Sequence, residues 1–435
     1  MWYQESVFYH VYPLGLCGAP AQNDGRIVHR LDALAGWIPH ISRLGAGAVL
    51  FGPLWQSDTH GYDTRDYRTL DGRLGSDDDL VRLVAQLHQA GLRVVVDGVF
   101  NHVGRGFWAF RDVLARRQAS PYAGWFYIDF GRDDNYGDGL WYQGWQDHYE
   151  LVRLNLANPA VADYLLGCVA DWIDRFGIDG LRLDVAYMLD VGFMRRLAGM
   201  CRGKRPDFFM VGEMLGGDYN VLMKDGLLDS VTNYECYKGL YSSLNTHNLF
   251  EIAYAFNRQS GPEPWCLYRG RHLFNFVDNH DVTRIASQLN DPDDLPLVYD
   301  LLMAMPGIPC IYYGSEWGTA GVKRSDGDAS LRPSFGKPEW NALTDHLSRL
   351  SHVRVKAPAL CQGDYRPLLV TNRQLVFARQ AAGQRIIVAI NTDSQRFQAH
   401  FDAQAGAGTD LLTGLGHDFG GGSWLEGRTA YLWQV

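Results

Sequence analysis

Four segments of the chain combine an acid with arginine, histidine or asparagine, side chains that serve acid–base chemistry. They are DGVFNH (97–102), RLD (182–184), GE (212–213) and NHD (279–281). Each segment stands at the end of a short apolar run. A single acid in such a place is more often a solvated loop residue or a salt-bridge partner. Carboxylates gathered at one site repel each other and lose hydration, so four of them favour a reactive site.

Two kinds of chemistry use such a cluster: binding of a divalent metal and cleavage of a glycosidic bond. His102 and His280 lack a second ligand four residues away, which disfavours the metal. A retaining glycosidase needs an ionised carboxylate and a protonated carboxyl about 5–5.5 Å apart. Arg182 precedes Asp184 on the same side of a strand, so we expect it to hold Asp184 ionised as a nucleophile. Glu213 has no Arg or Lys within three residues, so it is the better proton donor.

The apolar runs before these acids belong to a repeated pattern of strands and helices. Eight runs rich in β-branched residues predict strands at 7–13, 48–52, 93–99, 180–184, 208–212, 230–234, 274–277 and 309–313. Helical periodicity lies between them, for example at 79–90, 160–176 and 295–305. Alternating β and α units predict an α/β fold, a (β/α)8 TIM barrel, whose strand ends bring the four acids to one rim. A doubly wound sheet is the alternative, but PLGLCGAP (13–20) is not its glycine-rich loop.

Two stretches interrupt this pattern and predict further domains. An insertion after strand three, 103–153, is rich in aromatic residues. These residues could form a small hydrophobic core of the insertion or line a wall of the sugar-binding cleft. They are Trp108, Trp125, Phe126, Trp141, Tyr142 and Trp145. After about residue 361 the runs alternate with period two, which predicts a small antiparallel β domain. The predicted division is therefore barrel at 1–102 and 154–360, insertion (domain B) at 103–153, and a C-terminal domain at 361–435.

The composition excludes several classes of function. The net charge is −9 and no basic stripe is present, so nucleic acid is not an expected partner. No run approaches the roughly 20 apolar residues that would span a membrane. The seven cysteines are scattered without CxxC spacing, which indicates neither a disulfide framework nor a zinc site. The first residues lack the basic and apolar regions of a signal peptide, so we expect a cytoplasmic protein.

At these same residues the chain resembles the α-amylase superfamily, glycoside hydrolase family 13. Four segments are similar to the family motifs, in the family's order: DGVFNH (97–102), GLRLDVAY (180–187), GEML (212–215) and FVDNHD (276–281). Three supporting segments also resemble family sequences: HGYDTRDY (60–67), RLNLANP (153–159) and GIPCIYYGSEWG (307–318). The resemblance covers the full length and implies a barrel, a domain B after strand three and a C-terminal antiparallel β-sandwich.

The resemblance also implies roles for individual residues. Asp184 would be the nucleophile, Glu213 the general acid/base and Asp281 the acid that stabilises the transition state. Asp97 would support Arg182. Further residues are implied to bind the sugar: Tyr62, His102, Arg182, His280, Asp328 and Arg332. Tyr62 would stack on it, whereas an ordinary surface salt bridge is the alternative for Asp328 and Arg332.

LDVAY (183–187) is similar to cyclomaltodextrinases and neopullulanases, which implies hydrolysis of small linear or cyclic maltooligosaccharides at α-1,4 bonds, with α-1,6 bonds as a wider option. A transglycosidase or trehalose-type isomerase would use the same site, and an inactive sugar-binding protein is disfavoured because all three acids are kept. Ala186-Tyr187 stands where calcium-binding members have Lys-His, so we predict neither a metal nor a cofactor. The relatives dimerise through an N-terminal β domain, whereas this chain begins at strand one, and a homodimer is left open.

Overall fold

The computed structural model describes residues 1–133, 136–325 and 327–435. Its centre is a closed barrel of eight parallel strands: Phe8–Val11 (β1), Ala48–Phe51 (β2), Arg93–Gly98 (β3), Gly180–Leu183 (β4), Phe209–Gly212 (β5), Ser230–Val231 (β6), Phe274–Phe276 (β7) and Ile308–Tyr312 (β8). Neighbours in the chain are neighbours in the sheet, and β1 pairs with β8. A hydrogen bond of 2.9 Å from Asn233 N to Phe274 O closes the barrel between β6 and β7. The predicted fold class is confirmed, with small shifts at the strand ends.

The barrel strands are apolar on both faces, which explains their unbroken runs of β-branched residues. Val94, Val95 and Val96 of β3 are all fully buried. The inside of the barrel is filled by large side chains, namely Phe8, Leu50, Val95, Phe209, Val211, Phe274, Phe276 and Ile308. The interior is therefore a packed core rather than a channel, and a ligand has room only at the rim.

The described helices follow the barrel strands in the chain, except Trp108–Arg116, which lies in the insertion. They are Pro13–Leu16, Asp32–Ala35, Ile38–Leu44, Asp77–Gln89, Trp108–Arg116, Pro159–Asp171, Val191–Lys204, Tyr234–Asn245, Phe250–Ser260, Ile285–Gln288, Leu295–Ala304, Ala342–Val355 and Pro358–Gln362. A capping box between Ser76 and Asp79 begins the helix after β2, slightly before the predicted start at residue 79. The helix predicted at 160–176 is α-helical to Asp171 and ends in a π-helical turn, Trp172–Phe176. Within the described part of the chain, none of these helices has both the length and the apolar composition of a membrane span.

The insertion after β3 returns to the barrel through an antiparallel sheet of His102–Gly104, His148–Arg153 and Gly144–Trp145. Its register pairs Arg153 with His102, so the insertion is fastened directly beside the end of β3. Five of the insertion's aromatic residues are buried: Phe107, Phe110, Trp125, Phe126 and Tyr142. The insertion therefore has a small aromatic core of its own.

The C-terminal part is an antiparallel β structure, as predicted. A six-stranded sheet contains Asp364–Val370, Gln374–Ala381, Gln384–Asn391, Thr429–Gln434, Ala407–Asp410 and Gly416–Asp418, and a two-stranded sheet contains Phe397–Ala399 and Ser423–Leu425. Val376, Ile387, Ala399, Leu425 and Trp433 form the core between them. The boundaries at 102/103, 153/154 and 360/361 stay predictions.

Candidate active site

The C-terminal ends of β3, β4, β5 and β7 bring the predicted acids to the barrel rim. Register pairs Arg182 of β4 with Asp97 of β3, so their side chains are neighbours across the two strands. Asp184 and Glu213 directly follow the last residues of β4 and β5. Asp281 lies in the loop after β7. The strand-end rule therefore places the acids near one another, and the contacts below join them.

Arg182 is the centre of the cluster. Its Nη1 atom lies 2.9 Å from both oxygens of Asp97 and 2.9 Å from Asp184 Oδ1. Its Nη2 atom lies 3.1 Å from Glu213 Oε2. Arg182, Asp184 and Glu213 are each only 6% exposed. Although burial opposes the charge, the carboxylates of Asp97 and Glu213 raise the pKa of Arg182 well above its usual value, so the guanidinium stays protonated.

One part of the sequence interpretation is wrong. The sequence predicts that Arg182 holds Asp184 ionised and that Glu213, with no Arg or Lys within three residues, has a less charged surrounding, but one guanidinium contacts both carboxyl groups. Burial raises the pKa of Asp184 well above its usual value, because it outweighs the opposing effect of Arg182. Reasoning from residues nearby in sequence missed the contact, since Arg182 and Glu213 lie on adjacent strands.

The backbone after Asp184 is strained. Val185 has φ 38° and ψ 47°, in the left-handed region that β-branched residues rarely adopt. In this conformation its N–H donates to Glu213 Oε2 over 3.0 Å. The Ala186 N–H donates to the Glu213 carbonyl over 3.1 Å. The strained turn therefore ties the segment after Asp184 to Glu213, and strain of this kind is concentrated at functional sites.

Asp281 lies in a separate group with a histidine and an arginine. His280 Nε2 is 2.9 Å from Asp281 Oδ2, and Arg332 Nη2 is 3.0 Å from Asp281 Oδ1. Burial would raise the pKa of Asp281, but His280, Arg332 and Arg182 lower it well below its usual value. Arg332 Nη2 also lies 3.0 Å from Asp328 Oδ2. The predicted Asp328–Arg332 pair is thus attached to the site, and not an isolated surface salt bridge.

Tyr62 connects the two groups. Its hydroxyl donates to Asp97 Oδ2 over 3.1 Å and contacts His280 Nε2. The rings of Tyr62 and His280 stack with centroids 5.6 Å apart and an interplanar angle of 8°. All of the predicted site residues except His102 are thereby joined by hydrogen bonds, ion pairs or ring contacts.

His102 lies at the side of the site nearest the insertion. Asn101 Nδ2 donates to His102 Nδ1 over 3.2 Å, and Nε2 has no hydrogen-bond partner among the described residues. Burial lowers the pKa of His102 to about 3, so the imidazole is neutral at physiological pH. Across residues 1–133, 136–325 and 327–435, no group of three or more His, Cys, Asp or Glu side chains is arranged to hold a metal ion.

The sequence interpretation missed two residues at the end of β1. The ring of Tyr12 stacks on His280 at 5.8 Å, and the Arg332 guanidinium lies 4.6 Å from the Tyr12 ring centroid. His10 meets His280 edge-on at 5.1 Å, and burial lowers its pKa well below the usual value. The same strand-end rule, applied to HVYP (10–13), would have found both.

Comparison with known proteins identifies the family of this arrangement. Residues 21–408 match the family model "Alpha amylase, catalytic domain". A cyclomaltodextrinase from Bacillus sp is 29% identical over 421 residues, which cover 90% of this chain and 73% of that protein.

Two solved structures extend the likeness to the whole chain. Cyclic α-maltosyl-(1→6)-maltose hydrolase from Arthrobacter globiformis has a TM-score of 0.84 at 25% identity, over 100% of this chain and 99% of that one. A debranching enzyme from Nostoc punctiforme, soaked with acarbose, has a TM-score of 0.82 at 26% identity, over 100% and 99% of the two chains. The protein is a glycoside hydrolase that belongs to the α-amylase family, glycoside hydrolase family 13.

Proposed function

We propose that the protein is a retaining hydrolase of α-glucosidic bonds, with Asp184 as nucleophile and Glu213 as general acid/base. The observation that carries this proposal is the guanidinium of Arg182, which lies 2.9 Å from Asp184 and 3.1 Å from Glu213. One planar guanidinium thus holds both carboxyl groups at the same site, and a retaining mechanism uses two carboxyls about 5–5.5 Å apart. An inverting enzyme separates its carboxyls further to admit a water molecule.

In the first step, an Asp184 oxygen attacks the anomeric carbon while Glu213 protonates the departing glycosidic oxygen. The Glu213 Oε2 atom already accepts from Val185 N and contacts Arg182, which leaves Oε1 to carry the proton. Burial raises the pKa of Asp184, which favours a single negative charge on the pair, balanced by Arg182.

In the second step, Glu213 takes a proton from water, and the water oxygen displaces Asp184 from the anomeric carbon. Two displacements retain the anomeric configuration. Asp281, whose pKa is held well below its usual value by His280 and Arg332 despite its burial, stays ionised and stabilises the positive charge of the oxocarbenium-like transition state. The neutral His102 and the stacked Tyr62 bind and orient the sugar whose bond is cleaved.

We propose small linear or cyclic maltooligosaccharides as substrates, cleaved at α-1,4 bonds and, as a wider option, at α-1,6 bonds. The names of the similar proteins support this range, since they include a cyclomaltodextrinase and a hydrolase of cyclic α-maltosyl-(1→6)-maltose. Arg332 links Asp281 to Asp328 and would bind hydroxyls at the non-reducing end of the oligosaccharide.

The test is a product time course on a panel of α-glucosides. The panel contains maltotriose, β-cyclodextrin, a cyclic tetrasaccharide with alternating α-1,4 and α-1,6 bonds, pullulan, isomaltose, sucrose and trehalose. We expect cleavage of a small maltosaccharide to maltose or glucose, released as the α-anomer, and no turnover by Asp184→Asn. Longer products or isomerised disaccharides would instead identify a transglycosidase. Release of the β-anomer, or activity of Asp184→Asn within tenfold of the wild type, would contradict the proposal.

A further inference from the structure

One tryptophan of the insertion reaches the active site. Trp145 lies at the tip of the hairpin Gly144–Trp145 and His148–Arg153, with its ring centroid 5.9 Å from that of His102. The ring of His148 stacks on Trp145 at 5.6 Å with an interplanar angle of 23°. Trp145 therefore contacts both a histidine of the site and an exposed histidine of the hairpin.

The contacting rings of Trp145 and His102 each hold a nitrogen with no partner. Trp145 Nε1 and His102 Nε2 are shielded from solvent, and neither makes a hydrogen bond within the described part of the chain. Because Asn101 donates to His102 Nδ1, the proton of the neutral imidazole lies on Nε2. Two N–H donors therefore lack an acceptor, which destabilises the free protein. A sugar hydroxyl oxygen is an acceptor that would satisfy them.

Other aromatic residues of the insertion do not share this property. Trp108 Nε1 donates to the Tyr164 hydroxyl over 3.2 Å. Trp141 Nε1 donates to the Tyr149 hydroxyl over 3.4 Å. The unsatisfied donor thus belongs to the tryptophan that contacts the site.

The hairpin tip holds Trp145 at a cost in backbone strain. Gln146 and Asp147 form its two-residue turn with φ 46° and 64°, where glycine or asparagine is usual. At Gly144 a Cβ atom would meet the His148 carbonyl oxygen at 2.5 Å, so the close approach of the two strands requires glycine. Strain that the surrounding structure maintains is typical of ligand-binding segments.

We infer that Trp145 is a further substrate-binding residue, which donates its indole N–H to a sugar hydroxyl beside His102 and packs its ring against an apolar sugar face. The inference rests on the proposed function. A hydroxyl oxygen of the bound sugar would accept hydrogen bonds from both N–H groups, which have no other partner among the described residues. Aromatic rings with a polar edge suit a ligand that has flat apolar faces and peripheral hydroxyls.

The test measures binding of maltotriose by calorimetry in the Asp184→Asn protein, which prevents turnover. Trp145→Phe keeps a ring and removes the N–H, so we expect its dissociation constant to rise about fivefold, the value of one hydrogen bond. Trp145→Ala also removes the ring, and its dissociation constant should rise at least about twentyfold. Trp141→Phe is the matched control, since its N–H bonds to Tyr149, and we expect a change of less than about twofold.

The outcomes separate this inference from the proposed function. Weaker binding by both Trp145 variants with an unchanged Trp141→Phe supports the inference. If wild type hydrolyses maltosaccharides but Trp145→Phe and Trp145→Ala bind maltotriose like the parent, the inference alone is overturned. Equal losses in Trp145→Phe and Trp141→Phe would also overturn it, because they would show a general disturbance of the insertion. Absence of both binding and turnover in any α-glucoside assay would overturn the proposed function and the inference together.

Discussion

The backbone N–H of Val185 donates a hydrogen bond of 3.0 Å to Glu213 Oε2. This contact exists because Val185 adopts φ 38°, a conformation that turns its amide towards the next strand. The residue after the proposed nucleophile thereby orients the proposed acid/base. The strained backbone of Val185 thus fixes the position of the Glu213 carboxyl group relative to that of Asp184.

This strain predicts an inverted order of stability for two substitutions of Val185. Both Val185→Ala and Val185→Gly remove the buried side chain, but only glycine adopts a positive φ without cost. We expect Val185→Gly to be about 1 kcal/mol more stable than Val185→Ala in denaturant unfolding. At Val94, a buried residue of β3, the usual order should hold, with alanine more stable than glycine. Finding alanine the more stable at residue 185 would contradict the strain.

Removing the proposed nucleophile should stabilise the protein at neutral pH. Burial raises the pKa of Asp184, so the folded state binds a proton that the unfolded state releases above about pH 4. Stability is therefore lost as pH rises between the two pKa values. Asp184→Asn removes this loss, so its free energy of unfolding should be about 0.5–2 kcal/mol higher than that of the wild type at pH 7. The difference should be smaller near pH 4. Denaturant unfolding at the two pH values measures it, and a less stable variant at pH 7 would be the opposing result.

The same substitution at Asp281 should have the opposite effect. Burial would raise the pKa of Asp281, but His280 and Arg332 lower it, so its charged form stabilises the folded state above the unfolded pKa. That contribution disappears as pH falls through the lower folded pKa. We expect Asp281→Asn to lose about 1–2 kcal/mol at pH 7 in the same assay. A gain in stability would show that the carboxylate is not stabilised by His280 and Arg332.

Arg332 should matter more to catalysis than its partner Asp328. Arg332 binds Asp281 Oδ1 and donates from Nε to the His280 carbonyl over 3.1 Å, so its loss displaces the transition-state acid. We expect Arg332→Ala to lower kcat/KM by about a hundredfold. In Asp328→Asn the guanidinium keeps its contacts with Asp281 and Tyr12, so the loss should stay below about tenfold. Steady-state kinetics on the preferred maltosaccharide compare them, and a larger effect of Asp328→Asn would refute this order.

The sequence predicts the barrel well because the strands are buried on both faces. An apolar run such as RVVVDG in β3 is typical of a parallel strand that is covered on both faces. The carboxyl ends of these strands carry the acids. Asp97, Asp184 and Glu213 can therefore be predicted to be neighbours, because they stand at the ends of adjacent parallel strands.

Contacts between strands and unusual backbone conformations could not be predicted from the sequence. The contact of Arg182 with Glu213 depends on the register of β4 and β5, which no local window contains. The left-handed conformation of Val185 contradicts its own residue preference, and only the surrounding hydrogen bonds maintain it. Which insertion aromatic reaches the site likewise depends on the hairpin pairing His148 with Trp145.

The most direct test of the central claim is to trap the glycosyl-enzyme on Asp184. Glu213→Gln would be incubated with α-maltosyl fluoride, because fluoride leaves without acid while hydrolysis of the intermediate still needs the missing base. Acid quenching and peptide mass spectrometry should find one maltosyl group on the peptide that contains Asp184, and none in the double variant Asp184→Asn, Glu213→Gln. A label on another carboxylate, or turnover of the fluoride with inversion and no label, would contradict the account.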